Sequence, residues 1–438
     1  GLNPIQQSMV ACHGAQCGFC TPGIVVSLYD LMQAGRPVDA AGVTRGLVGN
    51  LCRCTGYESI VRAALATDRS TLKPIDALYP PGLVAAALSA AAADEVRIET
   101  AAKKFYKPTT ADAACAFRAA NPGCSVVAGG TDLGVVHNKR VRPIEVALSL
   151  GGVAEFRGAC TSPDALHVGA TEPLTTLEHL ANEHLPELGR YLAWFGSPLI
   201  KNAGTIGGNL VTGSPIGDTP PPLMALDAKV HVVGPAGRKR AVPINAFYTG
   251  YRQTVLAADE LVAGVEIPLP KPGEVFKLFK VSRRKDLDIS TFSAAIWLRL
   301  SGGTIAEARL AFGGVGPVVL RMARTEAALV GKPPTLATFE AAGDVAYGEV
   351  TPISDVRGSA DYRRAVSRNI LSRFWHEAFG GAQRSGGDGG GGPNGNGRHG
   401  DPPAAAGGQA FLFVTRDPLR ASGEKAPGAN APAANVPA

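Results

Sequence analysis

Two short segments, HGAQCGFCTPG at 13–23 and NLCRCTGY at 50–57, place Cys17, Cys20, Cys52 and Cys54 on either side of a helical-looking stretch. A C-x2-C pair in a glycine-rich turn can face one point. A C-x-C pair on a regular helix cannot, because side chains two residues apart leave it in nearly opposite directions. If the four sulfurs act together, the helix must end at the second pair, and Gly56 helps it end. Two turns must then meet between helices. Four thiolates so gathered suit a 2Fe-2S cluster or a zinc ion, although zinc sites usually pair C-x2-C with a second C-x2-C or with His. Spacing alone leaves both open, along with ordinary buried thiols.

The surrounding sequence supports a helical domain over residues 1–70. Thr21 is a candidate cap with Pro22 behind it, and Ile24, Leu28, Leu31 and Met32 fall on one stripe. Asp39 is the expected cap of a second helix carrying Val43, Leu47 and Leu51, and ESIVRAALA makes a third. Residues 71–102, with YPPGL and an alanine-rich run, read as a linker with room for a short helix. Short apolar runs (SVVAGG, EVALSL, ALHVGA, KVHVVG, LVAGVEIP) then alternate with helical pieces over 103–275, and a second α+β unit follows over 276–380. It closes on an amphipathic helix from about Ala360 to Phe374, with Ile370, Phe374 and Trp375 as core. Residues 381–438 are glycine-rich and expected to be disordered, AFLFVT being their one apolar patch.

The chain of 438 residues is long enough for several cores without disulfides, and no run of eighteen apolar residues marks a membrane span. Its net charge of +6 is dispersed, and the clusters GRKR and SRRK lack interleaved aromatics, which argues against a nucleic-acid partner. No secretory leader is visible and the cysteines suit a reducing compartment, so a cytoplasmic location is expected. Cys12, Cys115, Cys124 and Cys160 show no matched spacing and read as small buried hydrophobes, and His13 as a loop residue.

Neither G-x-G-x-x-G after a strand nor a P-loop is present. SVVAGGTDL offers another phosphate cradle, a strand running into Gly129, Gly130, Thr131 and Asp132. NAGTIGGNLVTGSPIGD offers a second, with Gly207, Gly208 and Asn209 expected ahead of a strand, and Asp218 placed to accept a hydrogen bond from a ribityl hydroxyl or flavin edge.

HGAQCGFCTPG with GNLCRCTGY resembles the helical iron–sulfur domain of the molybdenum hydroxylases, the xanthine dehydrogenase and aldehyde oxidase family, while VVAGGTDL, IKNAGTIGGNLVTGSPIGD and FKVSRRKDLDIS are similar to its FAD domain. The resemblance implies a helical 2Fe-2S-binding bundle, an FAD-binding α+β domain of the PCMH or CO dehydrogenase flavoprotein type, and an α+β C-terminal flavoprotein domain. It further implies Cys17, Cys20, Cys52 and Cys54 as cluster ligands and Gln16 as a hydrogen-bond partner of the pterin. Val127, Ala128, Gly129, Gly130, Thr131 and Asp132 would hold the adenine-side phosphates, with Thr205, Ile206, Gly207, Gly208 and Asn209 opposite. Phe195, Asp218 and Lys280 would line the flavin, Lys280 favouring its anionic reduced form.

The implied role is an electron-transfer subunit that passes electrons from molybdopterin on a large partner subunit through 2Fe-2S and FAD to NAD+ during hydroxylation of hypoxanthine and xanthine. A heterotetramer of two small and two large subunits is expected. Another molybdenum hydroxylase, acting on an aldehyde, nicotinate or isoquinoline, and a zinc-stabilised assembly module are the alternatives. Nothing before GLNPIQQ matches the ferredoxin-like domain such proteins carry first; we expect either a piece of a longer chain or a conduit short of one relay.

Overall fold

The computed structural model describes residues 1–285 and 287–380; the stretch expected to be disordered, with its AFLFVT patch, lies outside the described residues. Helices Pro4–Ala11, Thr21–Gln33, Ala40–Gly46 and Glu58–Ala66 form the first unit. Asn3 and Gln6 make a reciprocal capping box on the first helix, and the Asp39 side chain accepts the Gly42 N–H at the third. Ile24, Leu28, Leu31 and Met32 are all buried, with Ile5, Val43 and Ile60, in a core of their own.

Two local expectations fail here. Thr21 is the first helical residue and does not cap: Cys20 ahead of it already has helical backbone angles, and the Thr21 hydroxyl is buried without a hydrogen-bond partner. The third helix stops at Gly46, so Leu51 leaves the stripe of Val43 and Leu47 and is 75% exposed.

The span read as a linker contains a 13-residue helix, Pro81–Ala93, and the strand Val96–Glu99. That strand pairs antiparallel with Lys104–Lys107, which runs parallel to Val146–Ser149, itself parallel to Ser125–Val127. A second, five-stranded antiparallel sheet has the order Ala159–Thr161, Ala165–Gly169, Leu261–Pro268, Lys229–Val233, Lys239–Pro243. The third sheet is a meander of Glu274–Val281, Phe292–Ser301, Thr304–Gly313 and Leu320–Arg321.

The third sheet is apolar on both faces, which is why FSAAIWL reads as a continuous hydrophobic run. Phe276, Leu278, Ala295 and Trp297 point into a core shared with the five-stranded sheet. Phe279, Phe292, Ile296 and Leu298 point the other way, onto the helices Leu336–Glu349 and Ala360–Ala378. Burying each such side chain stabilises the fold by about 1.5–3 kcal/mol. Ile370, Phe374 and Trp375 are buried as expected, but the last helix runs four residues past Phe374, ending at Ala378. No helix among the described residues is long and apolar enough to cross a membrane.

Candidate functional site

The two cysteine turns meet. Both pairs lie outside regular helix, one in the turn that leads into Thr21–Gln33 and one in the loop between Gly46 and Glu58. The second loop is pinned by Tyr57: its hydroxyl accepts the Cys52 N–H at 2.8 Å and donates to the Asn50 carbonyl at 3.3 Å. Gly56 and Tyr57 both take left-handed angles (φ 66° and 69°) to turn the chain into the next helix.

The sulfurs stand as two pairs, each with one member from each loop. Cys17 Sγ lies 3.5 Å from Cys54 Sγ, and Cys20 and Cys52 are close enough for each to shift the other's thiol. Each pair holds one thiol that is lowered and one that is raised. The hydroxyl and then the N–H of Thr55 bring Cys52 down to about 7, whereas burial and then Cys52 raise Cys20. The Phe19 N–H, followed by Cys54, lowers Cys17, and Cys17 in turn raises Cys54. Gln16 Nε2 donates to the Cys54 carbonyl at 3.2 Å, tying the loops together.

Among the described residues no three of His, Cys, Asp or Glu converge on one ion position. Paired sulfurs suit two metal atoms with two thiolates each, the arrangement of a 2Fe-2S cluster, better than one tetrahedral zinc. Cys17, Cys20, Cys52 and Cys54 would hold such a cluster. Cys17 and Cys54 are exposed, as is Phe19 at 94%, so one side of the site is open.

The glycine segments also come together, around a cavity of about 410 Å³ lined by Ala128, Gly129, Gly130, Thr131, Asp132, Phe195, Thr205, Gly207, Gly208 and Asn209 among others. They play different parts. The backbone N–H groups from Gly129 to Asp132 donate to nothing among the described residues, standing at the start of the helix Thr131–Asn138 with Gly130 at φ 72°. Such an end is built to hold an anion. A Cβ at Gly129 would sit 1.8 Å from the Ala203 carbonyl oxygen, so only glycine lets the two segments close.

The second segment is the wall. Gly207, Gly208 and Asn209 do not precede a strand as expected but lie inside the helix Ile206–Val211. Thr205 caps that helix by accepting the Gly208 N–H, Ile206 and Leu210 are fully buried one turn apart, and Gly207 fits against Ala170. The Ile206 and Gly207 N–H groups go to the Glu172 and Ala170 carbonyls. The free backbone donors of the first segment therefore face the cavity, a fit to the diphosphate of a dinucleotide.

Val127 belongs to the strand leading in, Ile206 to the core, and Gln16 to the cysteine turns. Asp218 and Lys280 are not among the residues lining the cavity. Lys280 Nζ lies 2.6 Å from Asp218 Oδ2, with both side chains at most 6% exposed. Asp218 Oδ1 also accepts from Ser290 and Tyr191. The two charges cancel inside a closed network. Replacing Lys280 with alanine strands a buried carboxylate and should destabilise the fold by about 3–5 kcal/mol in urea titration; a loss below about 1 kcal/mol would mean that water reaches Asp218.

The cavity also holds Arg118 and Arg142, the latter donating to the Ser125 hydroxyl at 3.0 Å. Sequence reading missed both, since a lone arginine in a helix or a turn carries no spacing signal. Of the cysteines expected to be buried, Cys115 is, Cys12 and Cys124 are half-buried with Cys124 lining the cavity, and Cys160, on a short edge strand, is exposed.

Comparisons with known proteins agree with this arrangement. Residues 1–65 match the 2Fe-2S binding domain, 98–270 the FAD binding domain in molybdopterin dehydrogenase, and 277–378 the CO dehydrogenase flavoprotein C-terminal domain. Xanthine dehydrogenase of Drosophila subobscura is 28% identical over 84% of this chain and 32% of its own length. Xanthine dehydrogenase/oxidase of Gallus gallus is 26% identical over 85% and 33%. The chain thus spans about a third of the length of the curated relatives it matches.

Among solved structures, a chain of carbon monoxide dehydrogenase from Hydrogenophaga pseudoflava superposes with a TM-score of 0.59 at 28% identity, covering 66% of this chain and 99% of that one. A chain of quinoline 2-oxidoreductase from Pseudomonas putida 86 does so with a TM-score of 0.58 at 28% identity, covering 65% and 99%. Matched in one order on one polypeptide, these three domains show that the chain belongs to the molybdenum hydroxylase family and carries its electron-transferring 2Fe-2S and FAD domains.

Proposed function

We propose that this chain is the electron-transfer portion of a xanthine dehydrogenase-type enzyme, carrying electrons from a molybdopterin site on a partner subunit to NAD+ while hypoxanthine and xanthine are oxidised to urate. The observation that carries the proposal is one polypeptide holding both an outward-facing, two-by-two cysteine site and an anion cradle made of free backbone N–H groups. Xanthine as substrate is favoured by the relatives, a xanthine dehydrogenase and a xanthine dehydrogenase/oxidase among them. When bound, the cluster supplies one-electron chemistry and the flavin couples it to two-electron acceptors.

The chain's own groups do the holding. Thr55 and the Phe19 N–H keep thiolates available at Cys52 and Cys17, and Gly129 to Asp132 offer donors for phosphate oxygens. The exposed side of the cysteine site, with Phe19 outermost, is where we place the molybdopterin-binding large subunit, in a cytoplasmic assembly of two small and two large chains. The likeness to quinoline 2-oxidoreductase favours a second reading, the same conduit serving a hydroxylase of another nitrogen heterocycle.

Anaerobic co-purification with the partner subunit tests the proposal. We expect iron, flavin bands near 450 nm, and xanthine-dependent reduction of NAD+. Material without iron would remove the conduit, and turnover of quinoline or nicotinate in place of xanthine would select the second reading.

A further inference from the structure

The loop that carries Cys52 also touches the flavin-binding part of the chain. Gly49 has φ 106°, and a Cβ there would lie 2.9 Å from Ser197 Cβ, 3.3 Å from its hydroxyl and 3.4 Å from Leu199 Cδ1. Ser197 is 5% exposed, and its hydroxyl accepts the Ile200 N–H at 3.2 Å to cap the helix Pro198–Ala203. Two residues before Ser197, Phe195 lines the cavity. Three residues after Gly49 stands Cys52.

Both sides of this contact are stiff. Asn50 donates to the Ser27 hydroxyl at 2.8 Å, and its carbonyl receives the same Tyr57 hydroxyl that accepts the Cys52 N–H. A rigid loop therefore joins Gly49 to a cluster ligand, and a capped helix start joins Ser197 to the cavity wall. The contact consists of bare backbone against a small side chain, with no room between the two segments for a Cβ at Gly49.

We propose that Gly49 is a positioning residue: its seam with Ser197 docks the cysteine-bearing domain onto the flavin-binding domain and sets the separation of the two redox sites. The proposal rests on the electron-conduit reading above and adds to it where on this chain the two sites are held together. A side chain at Gly49 would wedge the seam open without removing a cysteine or a cavity residue.

The test uses the full chain and two variants. Gly49→Ala adds the obstructing methyl. Gly49→Ala/Ser197→Gly keeps the strained backbone at position 49 but removes the atom it strikes, and glycine is nearly as good a helix cap as serine. In Gly49→Ala we expect amide exchange at 47–51, Ser197 and Leu199 to rise by about tenfold, the scale of a methyl group forced into a packed contact. Iron and flavin contents should be unchanged, and magnetic relaxation of a flavin radical by the reduced cluster, after partial reduction with dithionite, should be lost.

The double variant should regain both protection and relaxation. Unchanged exchange in the single variant, or no recovery in the double one, would overturn the seam. A chain that takes up neither iron nor flavin would instead refute the conduit reading, and the exchange data would still decide the docking.

Discussion

Cys52→Ala should abolish the 2Fe-2S electron paramagnetic signal and its iron while leaving flavin content at the wild-type level. Cys52 is the most acidified of the four thiols, held at about 7 by Thr55, and it is the partner of Cys20 across the two loops. Alanine leaves one metal position with a single sulfur. A cluster with cysteine at every corner tolerates that poorly. The flavin should stay because the helical domain has a core that shares no residue with those around the cavity. Cys160→Ala, at an exposed position away from the quartet, serves as the control and should change nothing. A signal that survives Cys52→Ala would remove this residue from the ligand set.

Gly129→Ala should strip the flavin and spare the cluster. The new methyl would stand 1.8 Å from the Ala203 carbonyl oxygen and 2.6 Å from its carbon, backbone atoms that cannot rotate away. The segment bearing the free N–H groups must then separate from the wall opposite. We expect flavin affinity to fall at least about 100-fold, equivalent to about 2.7 kcal/mol, read as loss of 450 nm absorbance on desalting. The chain itself should lose only about 1–3 kcal/mol of stability, the usual cost of overpacking. Full flavin occupancy in this variant would show that the cradle lies elsewhere.

Much of the architecture was legible because its signals are local. The stripe Ile24, Leu28, Leu31 and Met32, the Asp39 cap and the run LVAGVEIP correspond to single elements of the structure. What failed depended on contacts from distant residues. Gly207 and Gly208 look like a turn, yet Thr205 caps them into a helix whose second residue must be glycine because Ala170, far away in sequence, presses against it. Leu51 continues a helical spacing but lies in a loop bent to serve cysteines. Lys280 and Asp218 are 62 positions apart, and pattern cannot say that they neutralise one another. The four cysteines were visible from spacing, but their two-by-two pairing required coordinates.

The third sheet, apolar on both faces, dictates where this polypeptide tolerates being divided. A break in the exposed stretch around residues 73–80 would separate units whose hydrophobic interiors are already private, so either piece keeps its apolar surface covered. A break near residue 270 would pull Phe276, Leu278 and Trp297 away from the five-stranded sheet and leave a greasy face on each fragment. Gene fission and fusion therefore have an inexpensive joint at the first place and none at the second, whatever chemistry the assembled enzyme performs.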